Sequence, residues 1–241
     1  MIKLENITCK FQENSVLEDV SLDIASHLSI LGANGAGKST LAKIICDLLP
    51  YEGSVIVNEK NIAEYSLKER AKLLSYIPAK LEVYDTFITL EEFVLLGRFA
   101  HKTSLFDYSK RDKIIAEECL EFLHLKHLAK HSINSLSSGE TQLALIAQAL
   151  AQQSKIIIFD EPTANLDPKN SKIIAAHIKG LKEYHQVILI THDIALAAFV
   201  GSDVAFIKDK NVELFKEEFF QKEQLERLYE VSFESYGVKY D

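Results

Sequence analysis

One stretch constrains this chain more than any other: Gly32-Ala33-Asn34-Gly35-Ala36-Gly37-Lys38-Ser39-Thr40, a G-x-x-x-x-G-K-S phosphate-binding pattern. Leu28, Ile30 and Leu31 run into it with the apolar texture of a buried strand, and Leu41, Ile44, Ile45 and Leu48 leave it at helical spacing. The loop is therefore expected between a strand and a helix N-terminus. Gly32, Gly35 and Gly37 can take backbone angles that turn successive N–H groups toward one anion, and the helix start adds its own unsatisfied N–H groups. Lys38 is placed to reach the β- and γ-phosphates, and the Ser39 hydroxyl to coordinate Mg²⁺. The pattern predicts a nucleoside triphosphate site.

A length of 241 residues with 47% hydrophobic content supports a real core and excludes disorder. A net charge of −8 argues against nucleic acid as the main partner. No apolar run approaches the ~20 residues that cross a bilayer, and the first residues lack a signal-peptide core. The expectation is a cytoplasmic chain whose membrane role, if any, comes through a partner. Cys9, Cys46 and Cys119 are odd in number and widely spaced, which predicts three reduced thiols acting as small hydrophobes.

In chain order, residues 2–8 and Val16 to Ile24 read as a small β layer over the nucleotide site, with Phe11 at the end of the first strand. Residues 50–53 read as a turn, Val55 to Val57 as a strand, Leu67 to Leu73 as a helix and Leu74 to Ile77 as a strand stopped by Pro78. Residues from about 80 to 150 read as a helix-dominated insertion. Strand texture returns at Ile156 to Phe159, Val187 to Ile190 and Val204 to Ile207, separated by helical segments near 168–183 and 192–200. Strands alternating with helices imply a mostly parallel sheet covered on both faces, in a single α/β domain over 1–241. The stretch around Phe219-Phe220 to Tyr229 reads as a closing helix.

Two further motifs carry chemistry. Ile156-Ile157-Ile158-Phe159-Asp160-Glu161 is an apolar strand ending in two acids. Asp160 can hold Mg²⁺ through water, and Glu161 can polarise the water that attacks a γ-phosphate; alone, the acid pair is as readily a solvated turn. Leu136-Ser137-Ser138-Gly139-Glu140 precedes a helix expected to begin near Glu140 and to bury Leu143, Ile146, Ala147 and Leu150. It offers a hydroxyl, a glycine and a helix start, either a second anion device or a plain cap. His124, His127 and His131 share one face if helical, but no carboxylate or cysteine completes a metal set at ligand spacing.

The phosphate loop, LSSGE before a helix, Asp160-Glu161-Pro162-Thr163, Ala164-Asn165-Leu166-Asp167 and Thr191-His192-Asp193 come in the order of ABC-type ATPases, and the chain resembles that family from Leu4 to near Tyr229. The resemblance implies a P-loop NTPase core with an N-terminal antiparallel β subdomain and an inserted helical subdomain. It implies that Phe11 stacks on adenine, that Gly32, Asn34, Gly35, Gly37, Lys38, Ser39 and Thr40 hold the phosphates, and that Ser39 and Asp160 serve Mg²⁺. Glu161, His192 and Lys38 would be catalytic, Ser137 and Gly139 would touch ATP held by the opposite subunit, and Asp167 would link the two sites of a homodimer. The segment Thr86 to Arg98, followed by Leu105-Phe106, is similar to the ATPases of iron–siderophore, haem and cobalamin importers, where this region meets the permease. That implies integral-membrane permease subunits and, indirectly, a solute-binding protein as partners.

The chain departs from the family in several places. Ser138 and Glu140 replace the signature's usual glycine and glutamine, which reads as mild, and Leu143 stands where many members have arginine. Ala79, after Ser75-Tyr76-Ile77-Pro78, replaces a glutamine that contacts Mg²⁺. The competing readings are a stand-alone soluble ABC ATPase such as one of iron–sulfur cluster assembly, an ABC ATPase of DNA repair or translation, and a phosphate-loop kinase. The kinase leaves LSSGE and His192 unexplained.

Overall fold

Consecutive residues of the strand before Asp160 point into two different cores, and that alternation defines the architecture. Ile157 and Phe159 pack on one side, with Val187, Leu189, Ile174 and Ile178. Ile156 and Ile158 pack on the other, with Leu41, Ile45, Ile188 and Ile190. A strand apolar on both faces belongs to a sheet covered twice, the usual setting of parallel strands.

The structure, a computed structural model, describes residues 1–12, 14–81, 87–102, 107–233 and 240. The chain opens with β1 (Ile2–Phe11), β2 (Asn14–Ile24), β3 (Leu28–Gly32), α1 (Lys38–Ile45), β4 (Glu52–Val57) and β5 (Lys60–Asn61). Next come α2 (Leu67–Leu73), β6 (Leu74–Ile77), α3 (Leu90–Leu95), α4 (Lys110–Phe122) and α5 (Ser138–Gln152). It closes with β7 (Ile156–Asp160), α6 (Pro168–Leu181), β8 (Gln186–Ile190), α7 (Ile194–Val200), β9 (Asp203–Lys208), β10 (Asn211–Phe215) and α8 (Lys222–Tyr229). The larger sheet has the order β10-β9-β3-β8-β7-β6. All its pairings are parallel except β9 with β10. A separate antiparallel sheet, β2-β1-β4-β5, packs its inner face on the same core as α1.

Several expectations need correcting. The turn read over 50–53 ends earlier, because Glu52 and Gly53 already belong to β4, which pairs with β1. The helix of the second motif starts at Ser138 and buries Ala144, Leu145, Ile146 and Ala147, whereas Leu143 and Leu150 are half-buried at its margin. The three histidines do not share a helix: α4 ends at Phe122, and His124 has φ +58°, so the chain turns before His127 in a 3₁₀ turn. Cys9 is buried, and Cys46 and Cys119 are half-buried against the cores. All three cysteines are free, and burial pushes Cys46 up to about 12 and Cys119 up to about 11.

Between β6 and β7 the described chain is helical, and one buried ion pair ties it together. Arg98 is 4% exposed; its Nε donates to Asp112 Oδ1 at 2.9 Å, and its Nη1 donates to Ala151 O at 2.7 Å and Gln153 Oε1 at 2.9 Å. One guanidinium thus joins the 3₁₀ segment Leu96–His101, α4 and the end of α5. Gly97 beside it approaches α5 so closely that a Cβ would fall 2.3 Å from Gln148 O. Gly97 and Arg98 are therefore internal fasteners, while Leu96 and Phe99 next to them are 45% and 65% exposed. Thr86, Leu105 and Phe106 lie outside the described residues.

Removing one member of a buried pair strands the other charge. Asp112→Ala is expected to cost about 3–5 kcal/mol in urea unfolding, and the double change Arg98→Met with Asp112→Leu to recover most of it. A small loss in the single variant would show that Arg98 keeps enough oxygen partners without Asp112.

Candidate functional site

The phosphate-loop residues take the predicted strand–loop–helix form. Gly32 ends β3 with φ +149°, and a Cβ there would lie 2.5 Å from Ile207 O on β9, so no other residue fits. Gly37, at φ +101°, is the N-cap of α1. The loop closes with Ala36 N–H donating to Ala33 O at 3.2 Å, leaving Asn34 and Gly35 exposed at its tip and Thr40 half-buried in α1.

Lys38, first residue of α1, is 6% exposed. Its ammonium donates to Gly32 O and Ala33 O, each at 3.0 Å, and lies 4.0 Å from Glu161 Oε1. Burial lowers its pKa below the ordinary lysine value, and the carboxylates of Glu161 and Asp160 pull it back.

Asp160 ends β7 at 3% exposure, and Ser39 Oγ donates to its Oδ1 at 2.9 Å. One residue further, Glu161 has φ +48°, a left-handed backbone that a glutamate rarely adopts. Its N–H donates to Ile190 O at 2.8 Å on β8, which holds the turn. The turn carries the Glu161 side chain back over Lys38 and to His192, whose Nδ1 lies 2.8 Å from Glu161 Oε2. With Glu161 ionised, the imidazole is the donor. The pair meets because β7 and β8 are neighbours and Asp160 sits opposite Ile190 in register. Chemically, the cluster offers an ammonium for phosphate oxygens and a carboxylate–imidazole pair that can orient and deprotonate a water.

The donor set fits Mg²⁺. Ser39 Oγ and Asp160 Oδ1 are two hard oxygens converging beside Lys38, and Mg²⁺ bound with a nucleotide uses one or two protein oxygens with phosphates and waters.

Two residues that sequence reasoning missed also attach here. Tyr76, on β6, donates its hydroxyl to Asp160 Oδ2 at 2.6 Å. Tyr240, 8% exposed, donates to Asp193 Oδ2 at 2.6 Å, and Asp193 is the N-cap of α7 next to His192. Tyr76 lies in a short strand just ahead of a proline, and Tyr240 is remote in sequence from Asp193; neither stands in a motif that would have singled it out.

The other predicted residues lie elsewhere. Phe11 is 46% exposed at the end of β1, on the hairpin whose Val16 and Leu17 touch Gly37. Ser137 caps α5, and Asp167 caps α6, accepting from Lys169 N at 2.9 Å and Asn170 N at 3.0 Å. A Cβ on Gly139 would fall 2.7 Å from Asn170 Cγ, so the two helix starts abut. Among the described residues, no hydrogen bond joins Ser137, Gly139 or Asp167 to the Lys38–Asp160–Glu161–His192 cluster.

The ABC transporter family model matches residues 17–164, from the first hairpin through both acids. The chain belongs to the ABC transporter family. It is 34% identical to a probable iron chelatin transport ATP-binding protein of Helicobacter pylori, over 88% of this chain and 85% of the relative. Identity to a manganese transport system ATP-binding protein of Halalkalibacterium halodurans is 30%, over 80% and 76%. A dimeric ABC cassette in a post-hydrolysis state with ADP and Pi superposes with a TM-score of 0.73 at 31% identity, over 90% of this chain and 98% of the other. The chain is accordingly an ABC transporter ATPase subunit, hydrolysing ATP.

In this ABC subunit the change at Glu140 is less mild than the sequence suggested. Its carboxylate accepts from Ser137 N–H at 2.8 Å and Ser137 Oγ at 2.6 Å, while Glu140 N–H returns a bond to Ser137 Oγ at 3.4 Å. Those donors hold the Glu140 carboxyl below the usual carboxylate range, so it stays ionised. An anion brought to this helix start meets a fixed negative charge. Glu140→Gln keeps a capping box and removes the charge. Its apparent KM for ATP is expected to fall about 5-fold, the effect of ~1 kcal/mol of repulsion at a solvent-facing site, with the thermal midpoint unmoved. An unchanged KM would mean that no phosphate approaches Glu140.

Proposed function

We propose that this subunit is the ATP-driven motor of an importer, working as a homodimer beneath integral-membrane permease subunits on the cytoplasmic face. The observation that carries it is the set at the C-terminal ends of β3, β7 and β8: Lys38, Ser39, Asp160, Glu161 and His192 joined by direct contacts. In this reading Lys38 and the loop N–H groups of Gly32, Asn34, Gly35, Gly37 and Thr40 hold the triphosphate, and Phe11 stacks on the base. Ser39 and Asp160 hold Mg²⁺, which neutralises phosphate charge when bound.

Glu161 takes the proton of the attacking water, and His192 orients both Glu161 and the γ-phosphate. Ser137 and Gly139 of one copy complete the site of the other, with Asp167 between them. Support for a shared site comes from the absence, among the described residues, of hydrogen bonds between that second set and the first within one chain. The dimeric relative supports it too. ATP then closes the pair and hydrolysis releases it, a ligand-biased equilibrium between two arrangements.

The helical stretch between β6 and β7 would pass that movement to the permease. Among the described residues no helix is long and apolar enough to cross a membrane. The cargo we propose is a metal complex of the iron–siderophore, haem or cobalamin type, reached through a solute-binding protein. Relatives named for iron chelatin and manganese transport favour metal cargo over other classes.

Glu161→Gln should bind ATP–Mg²⁺ without turnover and elute as a dimer in size-exclusion chromatography with light scattering. A chain that stays monomeric at saturating nucleotide, with its permease present, would sink the shared-site reading. Ala79 presents a methyl group where the family has glutamine. Ala79→Gln is therefore expected to raise Mg²⁺-dependent ATPase activity in a steady-state phosphate-release assay, and an unchanged or lower rate in a folded variant would refute that.

A further inference from the structure

Asp160 is held at both oxygens. Ser39 Oγ takes Oδ1 at 2.9 Å from the phosphate-loop side, and Tyr76 OH takes Oδ2 at 2.6 Å from the neighbouring strand. A carboxylate rotates easily about its last torsion, so one donor alone would not decide which oxygen faces the loop. Two donors, one per oxygen, do decide it, and a hydroxyl bonded to an ionised carboxylate is among the stronger hydrogen bonds available.

The position follows from strand geometry. Tyr76 pairs with Ile158 across β6 and β7 and packs with Leu74 on the core that α1 shares, the side from which the phosphate loop emerges. Ser75 faces the opposite way and donates to Gln152 Oε1 at 3.2 Å. Pro78 and the exposed Ala79 follow, neither carrying a polar side-chain atom. On this end of β6 the Tyr76 hydroxyl is thus the side-chain group that reaches Asp160.

We propose that Tyr76 is a positioning residue for the divalent cation: by fixing Oδ2 it keeps Oδ1 aimed beside Ser39, and so sets the Mg²⁺ concentration at which ATP is bound. The proposal rests on the reading of Ser39 and Asp160 given under Proposed function. It gives β6 a role at the metal site in a chain that lacks the glutamine at position 79.

Tyr76→Phe tests it, because the ring and its packing remain and only the hydroxyl leaves. In a Glu161→Gln background, binding of a fluorescent ATP analogue is titrated with Mg²⁺. The midpoint should move about 5- to 10-fold higher, the scale of a ~1–1.4 kcal/mol hydrogen bond. Turnover of the Glu161 chain carrying Tyr76→Phe should fall at limiting Mg²⁺ and recover in excess Mg²⁺. In an Asp160→Asn background the same change should add no further shift, because Tyr76 acts through Asp160.

A midpoint within 2-fold of the parent overturns the proposal, as does an equal shift in the Asp160→Asn background. A purely structural tyrosine would lower the thermal midpoint without moving the Mg²⁺ midpoint. If Tyr76→Phe does not fold, 3-fluorotyrosine at position 76 keeps the hydroxyl. Its ¹⁹F resonance should shift with the same Mg²⁺ midpoint as nucleotide binding, and an unresponsive resonance overturns the proposal. Failure of the parent reading is separate: the unaltered chain would then bind the analogue with no Mg²⁺ dependence at all.

Discussion

A lysine ammonium buried to 6% exposure stays charged only if oxygen atoms surround it. Lys38 finds them in two carbonyls of its own loop and in the Glu161 carboxylate, and much of the fold follows from that demand. Glu161 must come from β7 while Lys38 follows β3, and these two strands are separated by β8. A parallel sheet delivers all three strand ends to one edge, where loops can turn inward over a common point. The left-handed backbone at Glu161 is the local strain that this convergence requires, held by its bond to Ile190 on the strand between.

The start of α5 obeys a different constraint. Ser137 and its capping box sit at the start of α5, whose far end is clamped to α2 and β6: Gln152 Nε2 donates to Ala71 O at 2.6 Å and Leu74 O at 2.8 Å. Arg98 fastens the same end to α4. The helix is thus anchored at its C-terminal end, while its first turn closes on itself through Ser137 and Glu140. Gly139 against Asn170 adds a contact from that helix to the cap of α6, where Asp167 sits. Contacts along α5 thus run from the cap of α6 to β6, the strand that holds Tyr76.

Much of this was legible in the residues. The phosphate loop and the apolar strands flanking it have local causes, so an α/β class and a nucleotide site could be read from spacing, while the roles of the acid pair and the later motifs followed from the resemblance that their order carries. Other features could not. Residues 50–53 look like a turn because they run from Pro50 to Gly53, yet β4, paired with β1, already includes Glu52 and Gly53. Glu140 looked like a mild exchange because nothing in the sequence says where its carboxylate goes. Gly97-Arg98 resembled part of a permease-facing motif, but the pair turns inward while Leu96 and Phe99 stay at the surface.

What the sequence determined by itself was the catalogue of local devices: a loop that cradles phosphate, strands apolar enough to be buried twice, helix starts with caps, and an ordered motif set placing the chain among ABC ATPases. What only the tertiary structure decided was which atoms address one another: Lys38 with Glu161, Glu161 with His192, and Asp160 with both Ser39 and Tyr76. Local devices depend on backbone angles and side-chain period, which neighbours in sequence control. The pairings depend on sheet order and register, which arise when distant strands bury their apolar faces together.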